Sequence, residues 1–390
     1  MIVLKSKCMK ISAILLAILF LFSLSLAVTA KEAVISESEQ EALPCRSAIL
    51  MDAATGAVLL EQNADEALPP ASVTKIMTLL LVMEALESGR IAWTDMVTAS
   101  ANAASMGGSQ VYLKEGESMS VEDMLKSVVI ASANDCAVAL AEFVSGSESA
   151  FVDAMNARAA ELGMKNTHFE NTNGLDDTVE NHVTSARDIA IMSRALISHP
   201  KILEYSSTWM DTIREGAFGL TNTNRLVRFY RGCTGLKTGS TSRAGFCVST
   251  TAERDGVSLI CVIMAAQTRD IRNATAAKLL DFGFANYATF RGEAGTRQVS
   301  VFGGVAPSLQ ATWEPIAITV PKGSVGRVAL SLELPEALSA PVQAGAEIGA
   351  AVYTLDGKEI GRVPVIAANE VAQIGFGELF SRMLAKFFLL

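Results

Sequence analysis

Apolar residues in the first two-thirds of the chain follow two different spacings. Short apolar runs flank a glycine-containing turn at residues 52–56, and two longer runs flank the turn at 253–256, so each set predicts a β-hairpin. Between the hairpins, helical spacing recurs in several stretches and again just after the second hairpin. These predicted helices cover residues 76–86, 121–129, 136–144, 149–162, 184–197 and 270–287. Strands, several helices, then strands and a final helix predict a layered α/β (α+β) domain over residues 45–290.

The pattern changes after this domain. Residues 298–367 contain short β-type runs separated by glycine and proline, with little helical spacing. This pattern predicts a separate small β-sandwich domain over residues 295–370. The segment offers no cluster of residues that indicates catalysis.

Composition and the first residues indicate an exported protein. The chain has 390 residues, half of them hydrophobic, and a net charge of −9, which argues against binding to nucleic acid. Residues 1–30 have a basic start, an apolar stretch at 11–26 and small residues at 28–30, which is the pattern of a secretory signal peptide. An uncleaved anchor helix is the alternative. Residues 31–44 are polar and aperiodic, and we interpret them as a linker.

The last stretch predicts an amphipathic helix over residues 375–390. Its apolar residues follow i, i+3, i+4 spacing, with charged residues on the opposite side. The apolar set is Phe376, Leu379, Phe380, Met383, Leu384, Phe387 and Phe388. The helix is too short to span a bilayer. Because it is aromatic, terminal and part of an exported chain, we favour anchoring at the outer face of the cytoplasmic membrane over packing on the preceding domain.

The cysteines do not form a clear disulfide framework. Of six, Cys8 lies in the signal region. The other five are odd in number and scattered, so we predict mostly free, buried thiols: Cys45, Cys136, Cys233, Cys247 and Cys261. If a bridge exists, the best pair is Cys247 with Cys261, across the second hairpin.

Candidate chemistry begins at Ser72 and Lys75, just after two prolines and at the start of an apolar run. Residues i and i+3 share one face of a helix, so a hydroxyl and an amine would stand side by side. Such a pair is a possible nucleophile and base, and the free N–H groups of a helix start are possible oxyanion donors. Ser198 and Lys201 have the same spacing, but Pro200 between them is incompatible with this geometry.

Two further polar motifs follow in order. Residues 132–134 (Ser-Ala-Asn) interrupt two apolar helices, and a short loop there would project side chains into a cleft. Residues 237–239 (Lys-Thr-Gly), followed by Ser240, lie at the start of the strand-rich region. Each motif alone is a weak signal, whereas three in this order and context form a strong one.

Together the three motifs resemble those of serine β-lactamases and penicillin-binding proteins, with Ala133 at a position that is usually aspartate. Residues 63–66, 108–113, 173–175 and 235–239 are similar to segments of the D-alanyl-D-alanine carboxypeptidases among the low-molecular-mass penicillin-binding proteins. The resemblance covers nearly the whole chain. It implies a β-lactamase/transpeptidase-like catalytic domain, with an antiparallel sheet, flanking helices and a helical subdomain.

The resemblance also implies catalytic roles. Ser72 would be the nucleophile that becomes acylated, and Lys75, when uncharged, its base. Ser132 would relay a proton towards the leaving amine. Asn134 would hold the substrate amide and orient Lys75.

Substrate contacts are implied by the third motif. Lys237 and Thr238 would bind the terminal carboxylate of the substrate, and Gly239 would allow close approach of the backbone. The N–H group of Ser240, together with that of the nucleophile, would hold the oxyanion.

The implied reaction is release of the terminal D-alanine from peptidoglycan stem peptides ending in D-Ala-D-Ala, with β-lactam antibiotics as covalent inhibitors. No cofactor is implied, and His168, His182 and His199 lack metal-ligand spacing; we interpret His182 as structural or adjacent to the cleft. Three alternatives stay open: a β-lactamase, an endopeptidase that cuts cross-links, and a penicillin-binding sensor without turnover. The sequence offers no obvious carboxylate to activate the deacylating water of a β-lactamase.

Overall fold

The computed structural model describes residues 42–388. The predicted signal peptide and all but the end of the predicted linker lie outside these residues. The strands of the first domain are β1 (Ser47–Asp52), β2 (Val58–Gln62), β3 (Met96–Thr98), β4 (Ser118–Ser120), β5 (Met210–Ile213), β6 (Phe218–Thr221), β7 (Cys233–Thr241), β8 (Gly245–Arg254) and β9 (Val257–Ala266). Its α-helices are α1 (Lys75–Glu87), α2 (Ala101–Ala104), α3 (Val121–Lys126), α4 (Asn134–Ser145), α5 (Glu148–Glu161), α6 (Ala186–Ile197), α7 (Lys201–Ser206), α8 (Leu226–Phe229) and α9 (Arg269–Asn286).

A five-stranded antiparallel sheet in the order β2-β1-β9-β8-β7 divides the first domain. Side chains alternate across it because successive residues of a strand point to opposite faces. Ile49 and Met51 pack into the core formed with α1 and α6, whereas Ala48 and Leu50 pack into a second core beneath α9. Both faces are covered, as the predicted layered fold requires.

Helix α1 is central to the larger core. Its residues 76–83 are all buried, which explains why the apolar run has no polar face. Serine side chains begin several of the surrounding helices: Ser120, Ser147 and Ser185 accept hydrogen bonds from the N–H groups three residues on. In the sequence, Ser120 followed three residues on by Asp123 resembles a capping box and predicts this helix start, and the structure confirms it.

Some local predictions were wrong. Residues 94–116 are rich in alanine, serine and glycine, which predicts a loop, but they contain β3 and α2, elements too short for a periodic signal. Helix α7 directly follows Pro200, where no helix was predicted. A proline fits the start of a helix as well as the position after its end.

The cysteine prediction is confirmed in its main part. All five cysteines of the described chain are free, and four of them are buried, while Cys45 is half-buried. Cys247 lies in the core around α1 and Cys261 in the core beneath α9. The suggested bridge is therefore wrong, because the two side chains point to opposite faces of the sheet.

The second domain is all-β, as predicted. Its strands are β10 (Tyr287–Gly292), β11 (Gly295–Phe302), β12 (Ser308–Trp313), β13 (Ile316–Pro321), β14 (Val328–Glu333), β15 (Ala337–Ser339), β16 (Glu347–Leu355) and β17 (Lys358–Ala367). A six-stranded sheet in the order β14-β16-β17-β12-β11-β15 and the pair β10-β13 share one core, which includes Trp313, Tyr353 and Val365. The last element of the described residues is α10 (Phe376–Phe387). Within the described residues, no helix has the length and apolar character needed to cross a bilayer.

Candidate active site

Ser72 and Lys75 are in contact. Ser72 lies in a 3₁₀ turn, Ala71–Thr74, and α1 begins at Lys75. Residues i and i+3 eclipse each other in a 3₁₀ turn, so the turn aligns the two side chains more closely than the predicted α-helix would. Lys75 Nζ lies 2.8 Å from Ser72 Oγ.

Lys75 is completely buried, and this burial lowers the pKa of its amine well below the usual value. The positive charge of Lys237 lowers the pKa further, and the carboxylate of Asp135 opposes both effects. Lys75 Nζ also donates a 2.7 Å hydrogen bond to the carbonyl oxygen of Asn173. The surroundings therefore favour an uncharged amine whose position is held by a backbone carbonyl.

Asn173 was not predicted as a site residue, although residues 173–175 contribute to the family resemblance. Among the described contacts of Lys75 Nζ, the partners are Ser72 and Asn173, and Asn134 is not one of them. The orienting group is thus a main-chain carbonyl, which the side-chain identity at position 173 does not reveal.

The second motif lies at a break between helices. A π-helical segment, Ser127–Ala131, ends at Ser132, whose φ of 65° is left-handed, and α4 begins at Asn134. π-Helical turns of this kind are frequent at functional sites. Asn134 is buried: its Nδ2 donates to the Gly107 carbonyl at 2.7 Å, while its Oδ1 has no hydrogen-bond partner among the described residues.

The third motif lies on β7, at the edge of the sheet. Lys237 is buried, and this burial, together with the nearby charge of Arg272, lowers the pKa of its amine to about 7. Thr238 Oγ1 donates a 2.8 Å hydrogen bond to Thr223 Oγ1. Lys237 and Thr238 are thus a cation and a hydroxyl on neighbouring positions of one strand.

Gly239 is required by close packing. A Cβ atom at this position would lie 2.8 Å from the Pro70 oxygen and the Ser72 nitrogen, and 2.9 Å from the Val73 nitrogen. Any side chain would therefore push β7 away from the turn that carries Ser72. The next residue, Ser240, is exposed at the same end of the strand.

One cavity of about 600 Å³ joins the three motifs. It is lined by Ser72, Ser109, Ser132, Trp209, Thr221, Asn222, Thr223, Arg225, Phe229, Thr238, Gly239, Ser240, Arg269 and Arg272. Five of the eight predicted site residues are in this lining, whereas Lys75, Asn134 and Lys237 are buried. Within residues 42–388 no group of three His, Cys, Asp or Glu side chains is placed to hold a metal ion.

Three arginines in the lining were missed by sequence reasoning: Arg225, Arg269 and Arg272. Arg272 is buried and donates to the carbonyl of Cys247 at 3.2 Å and to Asn273 Oδ1. Among the lining residues none is an aspartate or glutamate, so the described cavity wall favours an anionic ligand. No sequence signal connects these arginines with the motifs, because Arg225 directly precedes α8, the other two lie on α9, and all three approach the site only in the folded chain.

Comparison with known proteins agrees with this site. A family model described as D-alanyl-D-alanine carboxypeptidase matches residues 33–268, and one described as the C-terminal domain of penicillin-binding protein 5 matches residues 295–373. The chain is 43% identical over 347 residues to the D-alanyl-D-alanine carboxypeptidase DacF of Bacillus subtilis, covering 87% of this chain and 89% of that protein.

Solved structures that resemble this chain include penicillin-binding proteins. Penicillin-binding protein 5 from Haemophilus influenzae superposes with a TM-score of 0.78 at 35% identity, covering 86% of this chain and 99% of that one. Penicillin-binding protein D2 from Listeria monocytogenes, in its ampicillin-bound form, has a TM-score of 0.58 at 34% identity, covering 63% and 99%.

A buried lysine lies beside a serine at the start of a helix, and the turn that carries the serine packs against the edge strand of an antiparallel sheet. This arrangement, with the three motifs, defines the class of serine hydrolases to which penicillin-binding proteins belong. The family match extends over most of the catalytic domain, and the relatives match over most of the chain. The chain belongs to the D-alanyl-D-alanine carboxypeptidase family. The family and fold class expected from the motifs are both confirmed.

Proposed function

We propose that this protein is a serine-type D-Ala-D-Ala carboxypeptidase that removes the terminal D-alanine from peptidoglycan stem peptides, and that β-lactam antibiotics acylate it. The observation that carries the proposal is the contact between Ser72 Oγ and the buried amine of Lys75, at a cavity lined by arginines. The names of the relatives, and the ampicillin-bound structure of one of them, support the same substrate and inhibitor classes.

Acylation begins when the hydroxyl of Ser72 gives its proton to the uncharged amine of Lys75. The Ser72 oxygen then attacks the carbonyl carbon of the penultimate D-alanine. The oxyanion that forms is held by the N–H groups of Ser72 and Ser240, which lie on the turn and strand that Gly239 brings together. The amine can accept this proton because its burial and the charge of Lys237 lower its pKa well below the usual lysine value.

Collapse of this intermediate breaks the peptide bond. Lys75 gives the proton it took from Ser72 to Ser132, which lines the cavity and passes a proton on to the nitrogen of the departing D-alanine, so Lys75 is uncharged again. Asn134 holds the amide of the stem peptide. An ester joins the stem peptide to Ser72. Water then attacks the ester and gives a proton to Lys75, which passes it to Ser72 Oγ as the ester bond breaks. The shortened peptide is released and the free serine is restored.

The terminal carboxylate of the substrate is bound at the third motif. Thr238 and Arg272 line the cavity, and Lys237 is buried next to Thr238 on β7, near enough to Arg272 for the charge of Arg272 to lower its pKa. Arginine is suited to this role because its planar group donates two parallel hydrogen bonds to a carboxylate. The need for a free carboxylate explains why the reaction takes place at the end of a peptide.

Lys237 gives the carboxylate site a pH dependence. Since the pKa of its amine is lowered to about 7, the free enzyme loses this positive charge as pH rises through about 7. We expect kcat/KM for D-Ala release to fall above that pH, by at most about tenfold per pH unit. In Lys237→Arg the charge stays at all accessible pH values, so the fall should move to higher pH. An unchanged fall near pH 7 in that variant would contradict the assignment.

A β-lactamase is the closest rival. The carboxylate of Asp135, next to the second motif, accepts hydrogen bonds from the N–H groups of Val111, Leu113 and Cys136. Its role is therefore to hold the backbone of these segments in place. Asp176 accepts one from Thr241. Neither residue lines the cavity, and this argues against efficient activation of a deacylating water on penicillin.

One assay separates the proposed activity from its rivals. We expect the purified enzyme to release D-alanine from a pentapeptide and to form a long-lived adduct with penicillin. Fast penicillin turnover without release of D-alanine would indicate a β-lactamase instead. Cleavage of a cross-linked dimer in preference to the pentapeptide would indicate an endopeptidase, and an adduct without any peptide hydrolysis would indicate a sensor.

We also propose that the exported protein is held at the outer face of the cytoplasmic membrane by α10. The apolar residues of this helix are exposed, from 42% at Leu384 to 84% at Phe376. On its polar side, Arg382 donates to the Val305 carbonyl of the β-domain and pairs with Glu378. The helix therefore contacts the β-domain through a polar residue and leaves its aromatic face uncovered, which supports a lipid surface as partner.

Removing residues 376–390 should transfer the protein from the membrane fraction to the soluble fraction. D-Ala release should be unchanged, because the helix is remote in sequence from the motifs and lines no part of the cavity. Fractionation of cells measures the effect. Two single substitutions test which side of the helix binds the membrane. Phe380→Ser on the apolar side should weaken membrane association, whereas Glu378→Gln on the polar side should not. Full association after the deletion would refute the anchor.

The proposed division of the chain follows these functions. It comprises a signal peptide at residues 1–30, a linker at 31–44, the penicillin-binding catalytic domain at 45–290, the β-sandwich domain at 295–370 and the anchoring helix at 375–390. The two family matches, at 33–268 and 295–373, support the separation into a catalytic and a β-domain.

A further inference from the structure

Thr74, inside the first motif, has a hydroxyl that the reaction does not use. It is completely buried and makes two hydrogen bonds: its Oγ1 donates to the Ala71 carbonyl at 2.9 Å, and it lies 2.7 Å from His182 Nε2. His182 is buried as well, and its Nδ1 lies 3.0 Å from the backbone nitrogen of Glu170. A continuous chain of hydrogen bonds therefore runs from Glu170 through His182 and Thr74 to Ala71.

The direction of each bond in this chain is determined by its first donor. The backbone N–H of Glu170 can only donate, so His182 Nδ1 must accept. A neutral imidazole then carries its proton on Nε2 and donates it to Thr74, whose own proton is free for the Ala71 carbonyl. Burial, with a smaller effect of His168, lowers the pKa of His182 to about 4, so the ring is neutral near pH 7; Asp176 opposes this shift.

The carbonyl at the end of the chain belongs to an unusual residue. Ala71 has a φ of 49°, a left-handed conformation that alanine disfavours, so its peptide group has to be held in place. Gly174 packs against the same carbonyl, where a Cβ atom would overlap the Ala71 oxygen. The turn before Ser72 is thus fixed from this side by Thr74 and Gly174.

The Ala71 carbonyl and the Ser72 N–H are parts of one peptide unit. A peptide unit is planar, with its C=O and N–H pointing in opposite directions. Holding the Ala71 oxygen therefore also aims the Ser72 N–H, on the other side of the plane. That N–H is one of the two proposed oxyanion donors.

We propose that Thr74 and His182 are positioning residues that aim the Ser72 N–H group at the oxyanion. This rests on the proposed acyl-enzyme at Ser72. Donors of an oxyanion hole act only when they are fixed before charge develops, so loss of the Thr74 hydroxyl slows the chemical step rather than binding. The effect is smaller than loss of a donor itself, because the N–H remains and only its orientation relaxes.

The test is the acylation rate constant with a fluorescent penicillin, measured at saturating inhibitor by rapid quench. Thr74→Val keeps the shape but removes both hydrogen bonds, and we expect the rate to fall about tenfold or more. Thr74→Ser restores the hydroxyl and should stay within about twofold of wild type. Ser193→Ala is the matched control for loss of a buried hydroxyl, since Ser193 Oγ lies 2.8 Å from Ser249 Oγ and lines no part of the cavity.

A purely structural role predicts a different result. In that case Thr74→Val would lower the melting temperature as Ser193→Ala does and leave the acylation rate within about twofold of wild type, which overturns the proposal. Nitrogen NMR of the wild-type imidazole gives a second test that needs no variant. A proton on Nε2 of His182 supports the proposed series of hydrogen bonds from Glu170 to Ala71, and a proton on Nδ1 overturns the proposal. Failure of wild type to react with penicillin would instead refute the proposed function.

Discussion

Ser72→Ala should abolish acylation by labelled penicillin and release of D-alanine, with a loss of at least about 10⁴-fold, because removal of a nucleophile leaves only binding and oxyanion stabilisation. The measurement is the mass of the intact protein after incubation with penicillin, together with D-alanine released from a pentapeptide. Residual acylation within about tenfold of wild type would show that another residue is the nucleophile.

Ser198→Ala is the matched control, because Ser198 and Lys201 have the same spacing as Ser72 and Lys75. Ser198 Oγ is exposed and donates to the Ala195 carbonyl at 2.7 Å, while Lys201 Nζ pairs with Glu204. The pKa of Lys201 is raised by this hydrogen bond, the opposite direction to Lys75. Ser198→Ala should therefore leave both readouts unchanged.

Lys75→Arg should reduce the acylation rate by about 10³-fold or more at every accessible pH. Arginine stays protonated, so it cannot accept the proton of Ser72 even though it has a long side chain like that of lysine. Lys75→Met, which keeps the apolar stem without a base, should lose a similar factor. In wild type the rate should fall as pH falls through the lowered pKa of Lys75, because the charged amine cannot act as a base.

The matched control is Lys201→Arg, a lysine of the same Ser-x-x-Lys spacing outside the cavity, which should behave as wild type. If Lys75→Met retained more than about a tenth of the wild-type acylation rate, another group would have to serve as the base. Asp135 would not be that group, since its oxygens accept backbone N–H bonds.

Much of the fold follows from local patterns. Apolar runs on either side of turn residues predicted both hairpins of the sheet, and the largely apolar run after Pro70 predicted helix α1. A helix cap such as Ser120 could be predicted from the sequence, because its side chain accepts a hydrogen bond from an N–H group only three residues away. These elements depend on neighbours in sequence, so the sequence was enough.

The sequence predicted the motif residues of the candidate site, but it did not predict the groups from other segments that complete the site or hold Lys75. Ser72, Ser132 and Thr238 stand out because their motifs have fixed spacings, and all three line one cavity. Arg272 and Asn173 were missed, because one reaches the cavity from α9 and the other acts through its carbonyl oxygen. Contacts between distant segments and contacts made by main-chain atoms leave no local trace in a single sequence.

The most direct test of the central proposal is to identify the covalent intermediate. Wild-type enzyme would be mixed with a pentapeptide ending in D-Ala-D-Ala, quenched within milliseconds, digested and analysed by mass spectrometry. The predicted result is an ester on the peptide that contains Ser72, with a mass equal to the stem peptide minus one D-alanine. An adduct on any other residue, or release of D-alanine without a stem-peptide adduct on Ser72, would contradict it.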